Sequence, residues 1–172
     1  MPSKGRGASR TLIVGFGNLY RRDDGVALAV VNALRERLGR PPLGEEDDGF
    51  DDLGHPVDTV LLHQLVPDLA EVVAGYDLVV FVDAHVESVG EPLHEEELMA
   101  SPKEALVPHQ MHPCTVLALA HSLHGARTRG VLLSLRGHDF DFGVGLSPET
   151  AALVPRAVAR LLALAGVEGG AG

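Results

Sequence analysis

The sequence has few of the residues that build disulfide frameworks, thiolate metal clusters or aromatic surfaces. Its 172 residues include one cysteine, Cys114, and no tryptophan, and aromatic residues make up 4% of the total. A single cysteine excludes an internal disulfide and a thiolate metal cluster. We therefore expect a protein of a reducing compartment, with a core built mainly from Val, Leu and Ala.

Basic residues and long apolar runs are scarce as well. The chain has 14 Lys and Arg against 24 Asp and Glu, a formal net charge of −10. Nucleic acids and anionic membranes both require a basic face, so we expect neither as a partner. No apolar run approaches the length of a membrane-spanning helix or follows the basic N-terminus as a signal peptide would. These features predict a cytoplasmic protein.

Short continuous apolar runs alternate with amphipathic segments along the chain. The runs predict buried strands at Thr11–Phe16, Asp58–Leu62, Leu78–Val82 and Gly130–Leu135, with a weaker edge strand at Leu93–Leu98. The segments between them predict helices at Asp23–Leu38, Pro67–Ala74, Pro113–His124 and Pro148–Ala165, the last with Ser147 as its N-cap. This order predicts an α/β three-layer sandwich, a twisted and mostly parallel five-stranded sheet with helices on both faces.

The domain boundaries follow from the same pattern. We predict a disordered basic N-terminus over residues 1–10, one domain over residues 11–165 and a flexible tail over residues 166–172. Within the domain, residues 39–57 form an acidic loop rich in Pro and Gly, which we expect to be mobile.

Polar residues follow the predicted strands at their carboxyl ends, where open parallel sheets bind ligands. The candidates in chain order are Gly15, Gly17, Asn18, Asp23, Asp24, His63, Asp83, His109, His112 and His138. Carboxylates and imidazoles gathered at one edge of a sheet are typical ligands of nickel or zinc. The sequence therefore predicts a metal site at this edge.

Ordinary structural roles compete with that interpretation. Asp23 and Asp24 can cap a helix, Asp83 can stabilise a turn, and a histidine at 109 or 112 can bond to backbone. A phosphate site is disfavoured, because "GFGNLYRRDDG" lacks the third glycine of a dinucleotide turn and the lysine of a P-loop. Asp24 would also repel a phosphate at the start of the helix.

Four motifs together resemble the nickel–iron hydrogenase maturation endopeptidases. They are "GFGNLYRRDDGVALAVVNAL", "VVFVDA", "HQMHPCTVLALA" and "GVGLSPETAALVPRAVARLL", in this order. The resemblance spans residues 11 to 165. It implies a phosphorylase/hydrolase-like fold and metal-binding positions at Asp24, Asp83 and His109, although it leaves open whether His109 or His112 is the imidazole ligand.

The resemblance also implies an activity and a partner. Members of the family remove a short C-terminal extension from the hydrogenase large-subunit precursor once nickel has been inserted, and a monomer is expected. The metal then either activates water, with Asp24 or Asp83 as general base, or belongs to the precursor and is only recognised by the protease. Two rival hypotheses are a cysteine hydrolase using Cys114 and a metal-site chaperone that binds the precursor without cutting it.

Overall fold

A computed structural model of the chain describes residues 9–86, 90–100 and 111–167. Within these ranges five strands form one sheet: β1 (Thr11–Phe16), β2 (Val57–Leu62), β3 (Leu78–His85), β4 (Leu93–Leu98) and β5 (Arg129–Arg136). The helices are α1 (Val26–Arg37), α2 (Leu69–Val73), α3 (Pro113–His124), α4 (Pro148–Ala151) and α5 (Val154–Leu164), with 3₁₀ turns at Arg22–Gly25 and Phe50–Asp52. Of the predicted disordered N-terminus (residues 1–10) and flexible tail (residues 166–172), residues 1–8 and 168–172 lie outside the described residues. Arg10 is described, and its backbone N–H donates to the carboxylate of Asp77 at 2.8 Å.

The strand order across the sheet is β2-β1-β3-β5-β4. The first four strands in this order are parallel, and β4 pairs antiparallel with β5 at the edge. The prediction of a mostly parallel five-stranded α/β sandwich is therefore confirmed, including the weak edge strand. The two central strands, β1 and β3, end side by side, with Gly15 opposite Val82 in the register.

Alternate side chains of each strand pack into two separate cores. Ile13 and Val80 pack under α1 and α5, whereas Leu12 and Val79 pack under α2 and α3. Because successive residues of a strand point to opposite faces, continuous apolar runs are what a sheet covered on both sides requires. No helix in the described part of the chain is long and apolar enough to span a bilayer.

Two predicted helices differ from the structure. The acidic pair lies in the 3₁₀ turn Arg22–Gly25, so that α1 begins only at Val26. The predicted C-terminal helix is two helices, α4 and α5, because Pro155 cannot donate a backbone hydrogen bond to the preceding turn. The N-cap prediction holds, since the Ser147 hydroxyl accepts from the backbone N–H of Thr150.

The acidic loop is anchored rather than free. Arg35 of α1 is buried, and its guanidinium donates to the backbone oxygen of Pro41, the hydroxyl of Thr59 and the carboxylate of Asp52 at 2.7–2.9 Å. Asn32 exchanges two further hydrogen bonds with the backbone of Leu43. These contacts argue against a freely mobile loop, because a buried arginine ties both of its ends to α1 and β2.

Replacing this arginine should loosen the loop. We expect Arg35→Gln to lower the free energy of unfolding by about 2 kcal/mol, since three buried hydrogen bonds to a charged group are lost, and to expose residues 44–54 to protease. Urea denaturation and limited proteolysis measure the two effects. The matched control is Arg37→Gln, because Arg37 lies on the same helix and is exposed; equal behaviour of the two variants would contradict the anchoring role.

Candidate metal and active site

A cavity of about 360 Å³ opens at the carboxyl ends of β1 and β3. Its lining residues are Phe16, Gly17, Asn18, Arg21, Asp24, His63, Gln64, Leu65, Asp83 and Met111. Five of the candidates from the sequence lie here: Gly17, Asn18, Asp24, His63 and Asp83. The topology explains the gathering, because parallel strands that are neighbours in a sheet end at the same edge.

The turn after β1 holds the Asp24 carboxylate in the cavity wall. The backbone N–H of Asn18 donates to Asp24 Oδ2 at 2.9 Å, and the Asn18 side chain in turn accepts from the N–H of Tyr20 at 2.9 Å. Gly17 has a φ of +148°, and a Cβ there would collide with the backbone oxygen of Asp24. Glycine is therefore required at 17 for the chain to pass this close to the acidic residue.

Asp83 is the second carboxylate of the cavity. The pKa of Asp83 is raised to about 7: burial is the largest cause, a backbone hydrogen bond from Ala84 partly offsets it, and the nearby charge of Asp24 adds to it. Two carboxylates that line the same partly desolvated cavity are stabilised by a bound cation. The pair therefore fits a divalent metal through oxygen ligands.

Asp23 has a different role from its neighbour Asp24. Its carboxylate is fully buried and accepts five hydrogen bonds at 2.7–2.9 Å, from the backbone N–H groups of His138, Asp139 and Ser147 and the hydroxyls of Ser147 and Thr150. Burial alone would raise the pKa of Asp23, but these donors outweigh it and lower the pKa to about 2. Asp23 is thus an internal anchor, and its prediction as a substrate contact is wrong.

Two further candidates lie outside the cavity. Gly15 is buried beneath α1, where a Cβ would meet Leu61, Val31 and Ala27 at 3.0–3.1 Å, so it serves close packing rather than a substrate. His138 is exposed and contributes its backbone N–H to Asp23. Neither lines the cavity, so neither is supported as a substrate contact.

The sequence left two histidines as alternatives for the imidazole ligand. His112 Nδ1 accepts a hydrogen bond from the backbone N–H of Cys114 at 3.1 Å and so caps α3. A neutral imidazole has one nitrogen with a free lone pair, and this cap uses it. In this conformation His112 cannot also ligate a metal through Nε2, which favours His109. His109 itself lies in residues 101–110, outside the described residues.

The described residues do not by themselves complete a metal site. Nowhere in residues 9–86, 90–100 and 111–167 do three or more His, Cys, Asp or Glu side chains come together as potential ligands. Asp24 and Asp83 supply two oxygen ligands, and a third has to come from elsewhere, with His109 as the candidate. Ligation by all three stays a prediction.

Cys114 does not lie in the cavity. It is 3% exposed and packs in the core between the sheet, α2 and α3. The adjacent His112 bonds to its backbone N–H rather than to its sulfur. This placement argues against the cysteine hydrolase, because a nucleophilic thiol must be reachable by substrate.

Sequence reasoning did not single out Arg21, the positive charge of the cavity wall. Its Nε donates to the backbone oxygen of Phe140 at 3.2 Å, which fixes the guanidinium at the cavity edge. No sequence signal distinguishes Arg21 from Arg22. Which of the two side chains points into the cavity depends on the conformation of the turn, and the sequence alone does not reveal it.

The acidic pair should separate into a structural and a functional residue. We expect Asp23→Asn to lower the free energy of unfolding by about 3 kcal/mol or more, because its amide would face N–H donors. Asp24→Asn should change it by less than about 1 kcal/mol, because its amide oxygen still accepts from Asn18. Urea denaturation of the two isosteric variants measures this, and equal destabilisation would contradict the assignment.

Asp83 should destabilise the metal-free protein as it ionises. The pKa of Asp83 is higher in the folded protein than in the unfolded chain. Its ionisation therefore lowers the free energy of unfolding by nothing below pH 4, by a growing amount between pH 4 and 7, and by a constant amount above pH 7. At about 1.4 kcal/mol per pKa unit, Asp83→Asn should therefore stabilise the protein at pH 8 by up to about 4 kcal/mol, and by almost nothing at pH 4.

Thermal unfolding across this pH range measures the effect. Added Ni²⁺ or Zn²⁺ should raise the Tm of the unmodified protein and raise that of Asp83→Asn much less. A pH-independent difference between the two proteins would show that Asp83 is not a desolvated acid.

Comparison with known proteins places the fold. No protein-family model matches the chain, and no curated protein sequence matches it. Solved structures do match over nearly the whole length. The maturating endopeptidase HybD from E. coli superposes with a TM-score of 0.62 at 20% identity, covering 90% of this chain and 91% of that one.

Archaeal structures give similar values. The [NiFe] hydrogenase maturation protease HycI from Thermococcus kodakarensis has a TM-score of 0.65 at 20% identity over 94% of this chain and 95% of its own. The hydrogenase 2 maturation peptidase from Thaumarchaeota archaeon SCGC_AB-539-E09 has a TM-score of 0.60 at 23% identity, over 92% of this chain and 99% of its own. This chain therefore has the fold of the [NiFe] hydrogenase maturation proteases.

Proposed function

We propose that this chain is an endopeptidase that removes the C-terminal extension from the large-subunit precursor of a nickel–iron hydrogenase after nickel insertion. The observation that carries the proposal is the pair Asp24 and Asp83, one in the 3₁₀ turn after β1 and the other near the end of β3, whose side chains line one cavity. The fold shared with structures named as maturation proteases supports it, as does the four-motif resemblance. We propose that the protein works in the cytoplasm as a monomer.

Nickel is the proposed metal, with zinc as a substitute. Asp24, Asp83 and His109 would hold it, and two carboxylates with one imidazole suit either ion. A metal in this position polarises a carbonyl and lowers the pKa of water.

The residues of the cavity have separate proposed roles. Asp24 or Asp83 is the proposed general base, because either carboxylate lines the cavity and can accept a proton from water there. Backbone at Gly17 and Asn18 approaches a peptide bound along the cavity, while Arg21 and His63 line the wall beside it. The ring of His63 stacks on the ring of Tyr20, with their centroids 6.4 Å apart.

The nickel can instead be part of the substrate. In that case Asp24, Asp83 and His109 recognise nickel already held by the precursor, and cleavage proceeds only on a loaded precursor. A chaperone that binds the precursor through the same residues without cutting it is the rival of another class. Proteolysis is favoured because the cavity places two carboxylates, either of which can accept a proton from water, beside open space.

Intact-mass spectrometry of the precursor tests the function. We expect the nickel-loaded large-subunit precursor from the same source to lose a C-terminal peptide on incubation with this protein, while the nickel-free precursor stays intact. Asp24→Asn and His109→Ala should each reduce the rate by at least about 10²-fold, because loss even of a residue that only hydrogen-bonds to a metal ligand costs about 10- to 100-fold.

The controls are His138→Ala and His112→Gln, which should stay within a few-fold of the unmodified protein in this assay. Stable binding of the nickel-loaded precursor without any change of mass would support the chaperone instead. Full activity of both Asp24→Asn and His109→Ala would remove the site assignment.

A further inference from the structure

A second groove, of about 240 Å³, opens beside the cavity and has no role in the proposed chemistry. It lies between α1 and the segment that precedes α4. Apolar side chains form most of its wall: Leu19, Leu28, Ala29, Val144 and Leu146. Arg22 and Glu45 stand at its edge. Its size suits one or two apolar side chains rather than a whole small-molecule ligand.

The surface around the groove is unusually apolar for exposed loops. Phe142 is 86% exposed and Val144 is 62% exposed, although polar residues would be expected at such positions. Tyr20, which is 42% exposed, belongs to the adjacent turn. Exposed apolar residues grouped around a groove mark a site of protein–protein contact more often than scattered single ones do.

Backbone hydrogen bonds hold the segment that carries these exposed side chains. The N–H of Gly143 donates to the backbone oxygen of Tyr20 at 2.8 Å, and the N–H of Arg22 donates to the oxygen of Gly143 at 3.0 Å. This short bridge fixes the residues on either side of Gly143. A prearranged surface of this kind loses little conformational entropy on binding.

The groove and the cavity share one wall. Arg21 lines the cavity and Arg22 lines the groove, so the turn between β1 and α1 separates the two. Tyr20 stacks on His63, which also lines the cavity. A protein that places a peptide in the cavity can therefore contact the groove with its neighbouring surface.

We propose that this groove is an exosite, which binds an apolar side chain on the folded surface of the same precursor whose C-terminal segment enters the cavity. This inference rests on the proposed function. The occupant is the precursor, because continuity with the cavity brings the substrate protein to this surface. An exosite adds binding energy far from the scissile bond, and its loss raises KM and leaves kcat unchanged when the bond itself is bound as before.

The test compares Val144→Asp, at the groove, with Leu123→Asp, an equally drastic substitution of an exposed apolar residue elsewhere. Val144→Asp should raise KM for the nickel-loaded precursor about tenfold with kcat unchanged, and Phe142→Ser should act in the same direction. Leu123→Asp is the matched control, because Leu123 is 70% exposed on α3, which packs on the opposite face of the sheet. A short synthetic peptide spanning the cleavage junction should be cut equally by all of these proteins.

Other results would overturn the exosite. They are equal KM values for Val144→Asp and Leu123→Asp, or impaired cleavage of the short peptide by Val144→Asp. Sedimentation tests a second copy of this chain as the occupant: a dimer of the unmodified protein that Val144→Asp converts to a monomer would also overturn it.

Binding of the precursor separates this proposal from the proposed function. If the unmodified protein binds the precursor and does not cut it, proteolysis fails, while an approximately tenfold weaker binding by Val144→Asp still supports the exosite. Absence of both binding and cleavage overturns the two together.

Discussion

The buried carboxylate of Asp23 is the interaction on which the arrangement of this site depends. It lies at the junction between β1 and α1, and all five of its donors come from the stretch that runs from the end of β5 through α4. A buried charge is stable only when its hydrogen-bonding capacity is met. The chain between His138 and Thr150 must therefore fold around Asp23, which closes that edge of the sheet.

This anchor determines where the next residue can point. With Asp23 facing inward, the tight 3₁₀ turn directs Asp24 to the other side, where Asn18 receives it in the cavity wall. Two adjacent aspartates thus have opposite energetic roles. One is stabilised by donors and strengthens the fold, while the charge of the other raises the pKa of Asp83 and disfavours its ionisation. Destabilised charges of this kind are typical of functional sites.

The sequence predicted the sheet, its two faces and both cavity carboxylates, because apolar runs and strand ends are local signals. It did not predict the role of Asp23, whose partners are 115 to 127 residues away in the chain. The sequence also did not predict that Arg35 anchors the acidic loop, because nothing in the sequence indicates that an arginine on a helix is buried. The division between α4 and α5 was visible as Pro155, yet the apolar periodicity continues across it.

The cavity and the groove derive their shape from the same backbone contact. Gly143 has a φ of +150°, and a Cβ there would lie 2.8–3.0 Å from the guanidinium of Arg22. Glycine at 143 thus lets Arg22, itself at the unusual φ of 44°, lie flat against the opposite segment. The turn that carries Arg21, Arg22 and Asp24 is held by this contact on one side and by Asp23 on the other. The proposed exosite and the position of the Asp24 carboxylate therefore depend on the same turn.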